Sequence, residues 1–174
     1  MPEPLDLRRY IRDIPDFPKP GVLFRDVTPL LGDAAALRAA VRELAEPFRR
    51  DGISQVLGIE SRGFTLGAPV ALELGAGFAL VRKQGKLPYA TRRATYDLEY
   101  GTDTVEMHVD AVRPGQKVLV VDDLIATGGT AAAAVALARE AGAVVVGCAF
   151  LIELVALAGR SRLAVDRVHV LLPF

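Results

Sequence analysis

Two adjacent carboxylates end a run of apolar residues in the sequence VLVVDD, at residues 118–123. The apolar part is typical of a buried strand, yet it ends on the like charges of Asp122 and Asp123. Two carboxylates do not hold a phosphate, because like charges repel. They bind cationic groups or hydrogen-bond donors instead, such as a hydrated magnesium ion or the hydroxyls of a sugar.

A glycine-rich turn follows within a few residues. Gly128 and Gly129 let the backbone approach a ligand, and the first amides of the helix that they open are unpaired at the positive end of its dipole. Thr127 and Thr130 add hydroxyl donors. This combination is typical of a phosphate site, in which three or four charge-assisted hydrogen bonds of roughly 1.5–3 kcal/mol each anchor a phosphomonoester. A ribose with two free hydroxyls and a terminal phosphate fits both halves of the segment.

Simpler explanations exist for each half. Thr-Gly-Gly occurs at many helix starts that bind nothing. Paired aspartates also occur in solvated turns and in the acidic pocket of phosphoacceptor receiver domains. Receiver domains usually carry the pair after their first strand, whereas Asp122 and Asp123 follow a late one.

The composition limits the kinds of protein that can carry this site. A chain of 174 residues suits one domain, which buries about 70% of its unfolded surface. Its 21 basic residues balance 21 acidic ones, which argues against a general affinity for nucleic acid or an anionic membrane. Cys148 is the single cysteine, so we expect no intrachain disulfide and a reducing cytoplasm. Neither a signal peptide nor a membrane-spanning run is expected.

The elements that position the site alternate along the chain. Segment 15–29 is too rich in proline for regular structure, and segment 84–94 reads as a long basic loop. Asp33 is expected to cap the second helix. Helices are predicted at residues 5–14, 34–50, 63–75 and 128–142, strands at residues 53–60, 77–83, 116–123, 143–153 and 167–174, and an antiparallel hairpin at residues 95–110.

Unbroken apolar strands that alternate with helices indicate an α/β fold, with a parallel sheet covered on both faces. Ligands of such sheets bind outside the carboxyl ends of the strands. Two segments are expected there, GIESRGF at residues 58–64 and DDLIATGGT at residues 122–130.

VLVVDDLIATGGT closely resembles the phosphoribosyl pyrophosphate signature of the type I phosphoribosyltransferases. The segments DFPKPGVLFRDVTPLL, GIESRGFTLGAPVALELG, VRKQGKLP and YDLEYG resemble, in the same order, segments of the members of that family that use adenine. The resemblance runs from about Asp16 to Arg160. It implies one domain over residues 1–174, with a central, mainly parallel sheet flanked by helices. It also implies a small amino-terminal hood at about residues 1–32 and a flexible loop over the active site at about residues 85–101.

The resemblance also implies which residues bind phosphoribosyl pyrophosphate. The two acids meet the ribose hydroxyls, and the turn after them holds the 5′-phosphate. The turn around Glu60, Ser61 and Arg62 holds pyrophosphate through a peptide geometry that sequence does not show. Six basic residues against one acidic residue between Ser61 and Tyr96 agree with an anionic ligand, although Arg92 and Arg93 also fit a solvated surface. The expected contacts are Asp122, Asp123, Ala126, Thr127, Gly128, Gly129, Thr130, Ser61, Arg62, Arg82, Lys83 and Lys86.

The base and the chemistry are assigned by the same resemblance. In the hood, Leu23 and Phe24 pack on adenine and backbone groups of Arg25 meet its edge, while Leu154 covers the other face. Glu99 manages the proton of the purine and Tyr100 helps to order the closed loop. From position alone, Glu99 also fits an exposed hairpin, and Phe24 and Leu154 also fit the core.

The expected reaction joins adenine to phosphoribosyl pyrophosphate and gives AMP and pyrophosphate. Magnesium is expected to bind mainly through the pyrophosphate and ribose of the substrate, and the family implies a homodimer in which the basic turn near Arg82 reaches a neighbour's pyrophosphate. Rival hypotheses are a transferase for another purine and a non-catalytic sensor of phosphoribosyl pyrophosphate. His108 and His169 receive no role.

Overall fold

Strands and helices alternate through the computed structural model, which describes residues 5–98 and 100–174. The strands are β1 (Arg12–Pro15), β2 (Leu23–Asp26), β3 (Gln55–Ile59), β4 (Gly77–Lys83), β5 (Thr91–Asp97), β6 (Thr102–His108), β7 (Lys117–Ile125), β8 (Val144–Glu153) and β9 (Val168–Pro173). The α-helices are α1 (Thr28–Gly32), α2 (Ala34–Ala45), α3 (Arg62–Leu74) and α4 (Gly129–Glu140). Short 3-10 turns occupy Leu7–Tyr10, Glu46–Phe48, Val155–Leu157 and Gly159–Arg162.

The main sheet has the strand order β5-β6-β4-β3-β7-β8-β9. The five strands β4, β3, β7, β8 and β9 are parallel to one another. On the edge beside β4, β6 pairs antiparallel with β4 and forms an antiparallel hairpin with β5. The expected mainly parallel sheet is therefore confirmed. The carboxyl ends of β3 and β7 lie side by side, which is where the sequence predicted a ligand.

Alternate side chains of the central strands pack into two separate hydrophobic cores, one on each face of the sheet. Leu119 and Val121 of β7 pack with α2 and α3, whereas Val118 and Val120 pack with α4 on the opposite face. All four side chains are fully buried. Because both faces are covered, these strands are apolar at every position instead of at every second one.

The helices begin and end largely where the sequence predicts. The Asp33 side chain accepts hydrogen bonds from the N–H groups of Ala35 and Ala36, which caps α2 as expected. α3 ends at Gly75, which is left-handed with φ of 66°. The predicted helix over residues 34–50 ends earlier as an α-helix, because Pro47 belongs to a 3-10 turn.

Two predictions for the amino-terminal region are wrong. The segment 5–14 is not a helix, since a 3-10 turn leads directly into β1. The segment 15–29 is not irregular throughout, because β2 pairs antiparallel with β1 and α1 begins at Thr28. Each strand is only four residues long, so its form comes from its partner and not from local periodicity. We call the sheet of β1 and β2 the hood.

The predicted loop at residues 84–94 is partly wrong as well. The hairpin begins at Thr91, so the irregular segment ends there. Arg93 forms an ion pair with the buried carboxylate of Glu106 across the hairpin, with 2.8 Å between Nε and Oε1, whereas Arg92 is exposed. Backbone pairing with β6 therefore extends β5 into a segment that lacks apolar alternation.

Among the described residues, none of the helices combines the length and the apolar character needed to cross a membrane. Cys148 lies fully buried in β8, and burial raises the pKa of its thiol to about 12. The thiol therefore stays protonated and unreactive at neutral pH.

Candidate active site

A cleft of about 290 Å³ opens at the carboxyl ends of β3 and β7. A smaller cavity of about 100 Å³ continues from it over the start of α4. The two share Asp122, Leu124 and Thr130 in their walls. The acidic and the glycine-rich halves of the signature segment therefore line one continuous site.

Asp122 and Asp123 both line the larger cleft but differ in surroundings. Asp123 is only 4% exposed, and its carboxylate receives a hydrogen bond of 2.5 Å from Nε of Arg62. Among residues 5–98 and 100–174 no cation is bonded to Asp122, and its Oδ1 accepts the N–H of Asp123 at 2.8 Å. Burial, and then repulsion from Asp123, raises the pKa of Asp122 well above its ordinary value.

Asp122→Asn is expected to stabilise the fold while it impairs activity. A raised pKa means that the folded state binds the proton more tightly than the unfolded state does, so the ionised carboxylate weakens the fold at neutral pH. We expect the melting temperature at pH 7 to rise by about 2–4 °C, the shift that about 1 kcal/mol produces in a chain of this size.

The gain should shrink as the pH falls from the raised pKa of Asp122 towards the ordinary aspartate value of 3.8, and it should be absent below 3.8, where Asp122 is protonated in both states. Melting curves of wild type and variant between pH 3 and 8 measure this, with Asp166→Asn as the control because Asp166 is exposed. A pH-independent difference would contradict the explanation.

A segment that is distant along the chain packs directly against the glycine turn. Gly128 is left-handed with φ of 83°, and an added Cβ would lie 2.3 Å from the carbonyl oxygen of Gly159. Gly129 opens α4, and its added Cβ would lie 2.9 Å from the Tyr96 ring. The turn therefore has no room for a side chain at either glycine. Ala126, Thr127 and Thr130 line the same small cavity.

Glu60 pairs with basic residues on the side of the cleft formed by the end of β3 and by β4. Its carboxylate accepts from the N–H of Lys83 at 2.8 Å, from Nε of Arg82 at 3.2 Å and from the ammonium of Lys86. Burial would raise the pKa of Glu60, but the bonds from Lys86 and Lys83 outweigh it and lower that pKa. The resemblance placed Glu60 in the pyrophosphate turn, but the sequence did not predict that its carboxylate pairs with these basic residues. The peptide between Glu60 and Ser61 is cis.

Arg62 joins the acid pair to the hood. Its guanidinium lies 5.1 Å from the centroid of the Phe24 ring while it bonds to Asp123. This distance lies within the range of a cation–π contact. Phe24 also packs edge-to-face against Phe17, with ring centroids 5.1 Å apart. Phe24 therefore lies on the side of the hood that faces the cleft.

A side-chain network that the sequence did not predict links the hairpin to the glycine turn. Tyr96 Oη accepts hydrogen bonds from Thr130 at 2.9 Å and from Lys83 at 2.6 Å, and it lies 3.2 Å from Asp103. Burial would lower the pKa of Lys83, but its bonds to Asp103 and Tyr96 raise it. The available signal in the sequence was the alternation of Ala94 and Tyr96 with the polar residues Thr95 and Asp97, and in the structure Ala94 and Tyr96 are half-buried between exposed neighbours.

Some predicted residues are not brought into the cleft. Tyr100 is 86% exposed and Leu23 is 46% exposed. Leu154 is half-buried against the core. Glu99 lies outside the described residues, so its predicted position is not tested.

The fold and the site define a class of protein. The family model of the phosphoribosyl transferase domain matches residues 31–170, which include the acid pair, the glycine turn and the basic wall. The mainly parallel sheet with flanking helices and a small antiparallel sheet is the type I phosphoribosyltransferase fold.

Comparison with individual proteins narrows that class. The adenine phosphoribosyltransferase of Syntrophotalea carbinolica is 56% identical over 169 residues, which cover 97% of this chain and 99% of that protein. The crystal structure of the enzyme from Rhodothermus marinus matches with a TM-score of 0.93 and 56% identity, over 97% of this chain and 96% of the other. The Trypanosoma brucei enzyme in complex with AMP, pyrophosphate and ribose-5-phosphate matches with a TM-score of 0.86 and 25% identity, over 96% and 77% of the two chains. The chain belongs to the adenine phosphoribosyltransferase family.

Proposed function

We propose that the protein transfers the 5-phosphoribosyl group from phosphoribosyl pyrophosphate to adenine, which yields AMP and pyrophosphate in purine salvage. The observation that carries the proposal is the continuous site in which two carboxylates adjoin a turn with no side chains at its centre. A sugar phosphate with free hydroxyls has the matching chemistry, because the acids accept from hydroxyls and the amides of α4 donate to a phosphate.

The 5′-phosphate is placed on the turn at residues 126–130 and the ribose hydroxyls on Asp122 and Asp123. α4 runs for 12 residues from Gly129, so its unpaired amides and dipole both favour an anion at the turn. The carboxylates lie at the neighbouring wall, where they also stabilise the positive charge that develops on the sugar in an oxocarbenium-like transition state.

Pyrophosphate is placed on the basic wall around Ser61. In this structure the cations there are bonded to protein carboxylates, namely Arg62 to Asp123 and Arg82 and Lys86 to Glu60. An incoming pyrophosphate competes for these cations. We therefore propose that Asp123 and Glu60 hold these basic side chains in place until the substrate binds.

Magnesium fits this site only together with the substrate. No group of three or more His, Cys, Asp or Glu side chains able to hold a metal ion occurs among residues 5–98 and 100–174. Magnesium is commonly bound by one or two carboxylates plus substrate oxygens, and Asp122 and Asp123 supply two carboxylates at the cleft. When bound, the ion neutralises charge on the departing pyrophosphate.

Adenine is placed between the hood and Leu154. Phe24 faces the cleft through its contact with Arg62, and Arg25 follows it on the strand that borders the site. A flat, mostly apolar base suits an apolar slot whose edge is read by backbone groups. The half-exposed Leu23 and Leu154 keep apolar surface available for that slot.

Glu99→Gln is expected to lower kcat by about 10²-fold, the lower end of what a positioned acid or base contributes, with little change in the binding of either substrate. The side chain is proposed to manage the proton of the purine, and Gln preserves its size without its ionisation. Steady-state kinetics with both substrates varied separate the effect on kcat from any effect on the two KM values. Asp97→Asn on the neighbouring strand is the control, and an unchanged kcat would remove Glu99 from the mechanism.

A base panel tests the function as a whole. Pyrophosphate release is measured with adenine, hypoxanthine and guanine, each with and without magnesium. We expect release with adenine and magnesium only. Release with hypoxanthine or guanine in preference to adenine would favour another purine transferase, and binding of phosphoribosyl pyrophosphate without any release would favour a sensor.

We further propose a homodimer in the cytoplasm, in which the basic turn near Arg82 approaches the neighbour's pyrophosphate. The family resemblance supports this arrangement, and the highly exposed Leu72 on α3 provides apolar surface for an interface. Light scattering after size exclusion tests it, and a monomer at micromolar concentration would contradict it.

A further inference from the structure

Phe174 lies between the hood and the segment that follows β8. Its backbone N–H donates to the carbonyl of Glu153 at 2.8 Å, and its own carbonyl accepts from the N–H of Val155 at 2.9 Å. These bonds flank Leu154, the residue proposed to cover one face of adenine. Phe174 is therefore fixed to the backbone on both sides of that cover.

The ring of Phe174 contacts two guanidinium groups. The Cζ atoms of Arg8 and Arg25 lie 4.2 and 4.3 Å from the ring centroid, well within cation–π range. Arg8 also donates to the carbonyl of Pro173 at 2.6 Å. Arg25 belongs to β2, so the aromatic ring connects the base-reading strand of the hood to the end of β9.

The hood depends on such contacts for its position. In the part of the chain that the structure describes, β1 and β2 pair with each other and not with the main sheet. Arg25 lies at the centre of this arrangement, because its guanidinium pairs with Asp13 on β1 while it stacks on Phe174. Its side chain is only 18% exposed. Loss of the ring therefore removes the stacking contact between Arg25 of β2 and the residue that follows β9.

We infer that Phe174 is a positioning residue for adenine. Its ring sets the separation between the base-reading residues 23–25 and the cover at Leu154, although it touches neither the glycine turn nor the acid pair. The inference rests on the proposed function, because it takes the hood and Leu154 as the two walls of the base site. It predicts a defect in base binding that leaves phosphoribosyl pyrophosphate binding intact.

Phe174→Leu and Phe174→Tyr test the inference. Leu keeps apolar packing without an aromatic face, and Tyr keeps the ring. Phe174→Leu is expected to raise the KM for adenine about tenfold, with the KM for phosphoribosyl pyrophosphate and kcat within about twofold of wild type. Phe174→Tyr is expected to restore the wild-type KM for adenine.

A matched arginine pair adds a second measurement. Arg8→Ala removes one stacking partner and is expected to raise the KM for adenine, whereas Arg9→Ala removes an equally charged side chain that is 83% exposed and should change nothing. An unchanged KM for adenine in Phe174→Leu, or an equal rise in both KM values, overturns the inference. A wild-type protein that does not use adenine counts against the proposed function instead, so the two failures are distinguishable.

Discussion

Gly128→Ala is expected to lower kcat/KM for phosphoribosyl pyrophosphate by about 10³-fold, the equivalent of losing about two charge-assisted hydrogen bonds to the 5′-phosphate. The new Cβ would lie 2.3 Å from the carbonyl oxygen of Gly159 and 3.0 Å from its carbonyl carbon. Both are backbone atoms, so no flexible side chain can move aside. The turn must shift, and its amides lose their common direction.

The left-handed backbone of Gly128 also strains any side chain, and a control separates the two causes. Gly115 has a similar φ of 78°, but its added Cβ would meet nothing within 4 Å. Gly115→Ala therefore carries the conformational strain without the collision and lies outside the site. Steady-state kinetics and thermal melting of both variants measure the difference. Activity of Gly128→Ala within about threefold of Gly115→Ala would mean that the turn does not hold the phosphate.

Asp123→Ala is expected to lower kcat/KM for phosphoribosyl pyrophosphate by about 10²–10³-fold, since the change removes acceptors for the ribose and a charge beside the developing cation. It also frees Arg62, whose Nε bonds to Asp123 at 2.5 Å. A freed Arg62 competes for the pyrophosphate in an altered position. Both effects act on the ribose and pyrophosphate end of the substrate, so the KM for adenine should change far less.

Asp166→Ala is the matched control, because Asp166 is an exposed aspartate away from the cleft. Both variants are compared by kinetics with each substrate varied in turn, and by melting temperature to show that they fold. A loss in Asp123→Ala that falls equally on adenine and on phosphoribosyl pyrophosphate would indicate general damage to the site. That result would contradict the ribose assignment.

Many features of the fold could be predicted from local sequence. The apolar run of β7, the Asp33 cap of α2 and the glycine opening of α4 depend on interactions within a few residues, and the structure confirms each of them. The parallel sheet also followed from this level, because only strands covered on both faces are apolar throughout. The acid pair and the glycine turn share one stretch of chain, so their proximity was determined by the sequence itself.

The hood illustrates what local sequence does not determine. Segment 5–14 has the spacing of an amphipathic helix, yet it contains β1, because pairing with β2 satisfies its backbone. The sequence of β2 does not predict a strand either, because the prolines on both sides of it indicate irregular structure. Short strands take their form from partners that are distant along the chain.

The contacts within the site that the sequence did not predict share one property. Gly159 closes the turn at Gly128, Tyr96 bonds to Thr130, and Glu60 binds Arg82 and Lys86. Each contact joins segments more than twenty residues apart, and each depends on which strands become neighbours in the sheet. The sequence by itself determined the chemistry of the acids and the turn, because those groups are covalent neighbours. Only the tertiary structure decided which distant side chains and backbone atoms confine them, because strand order and packing bring those groups together.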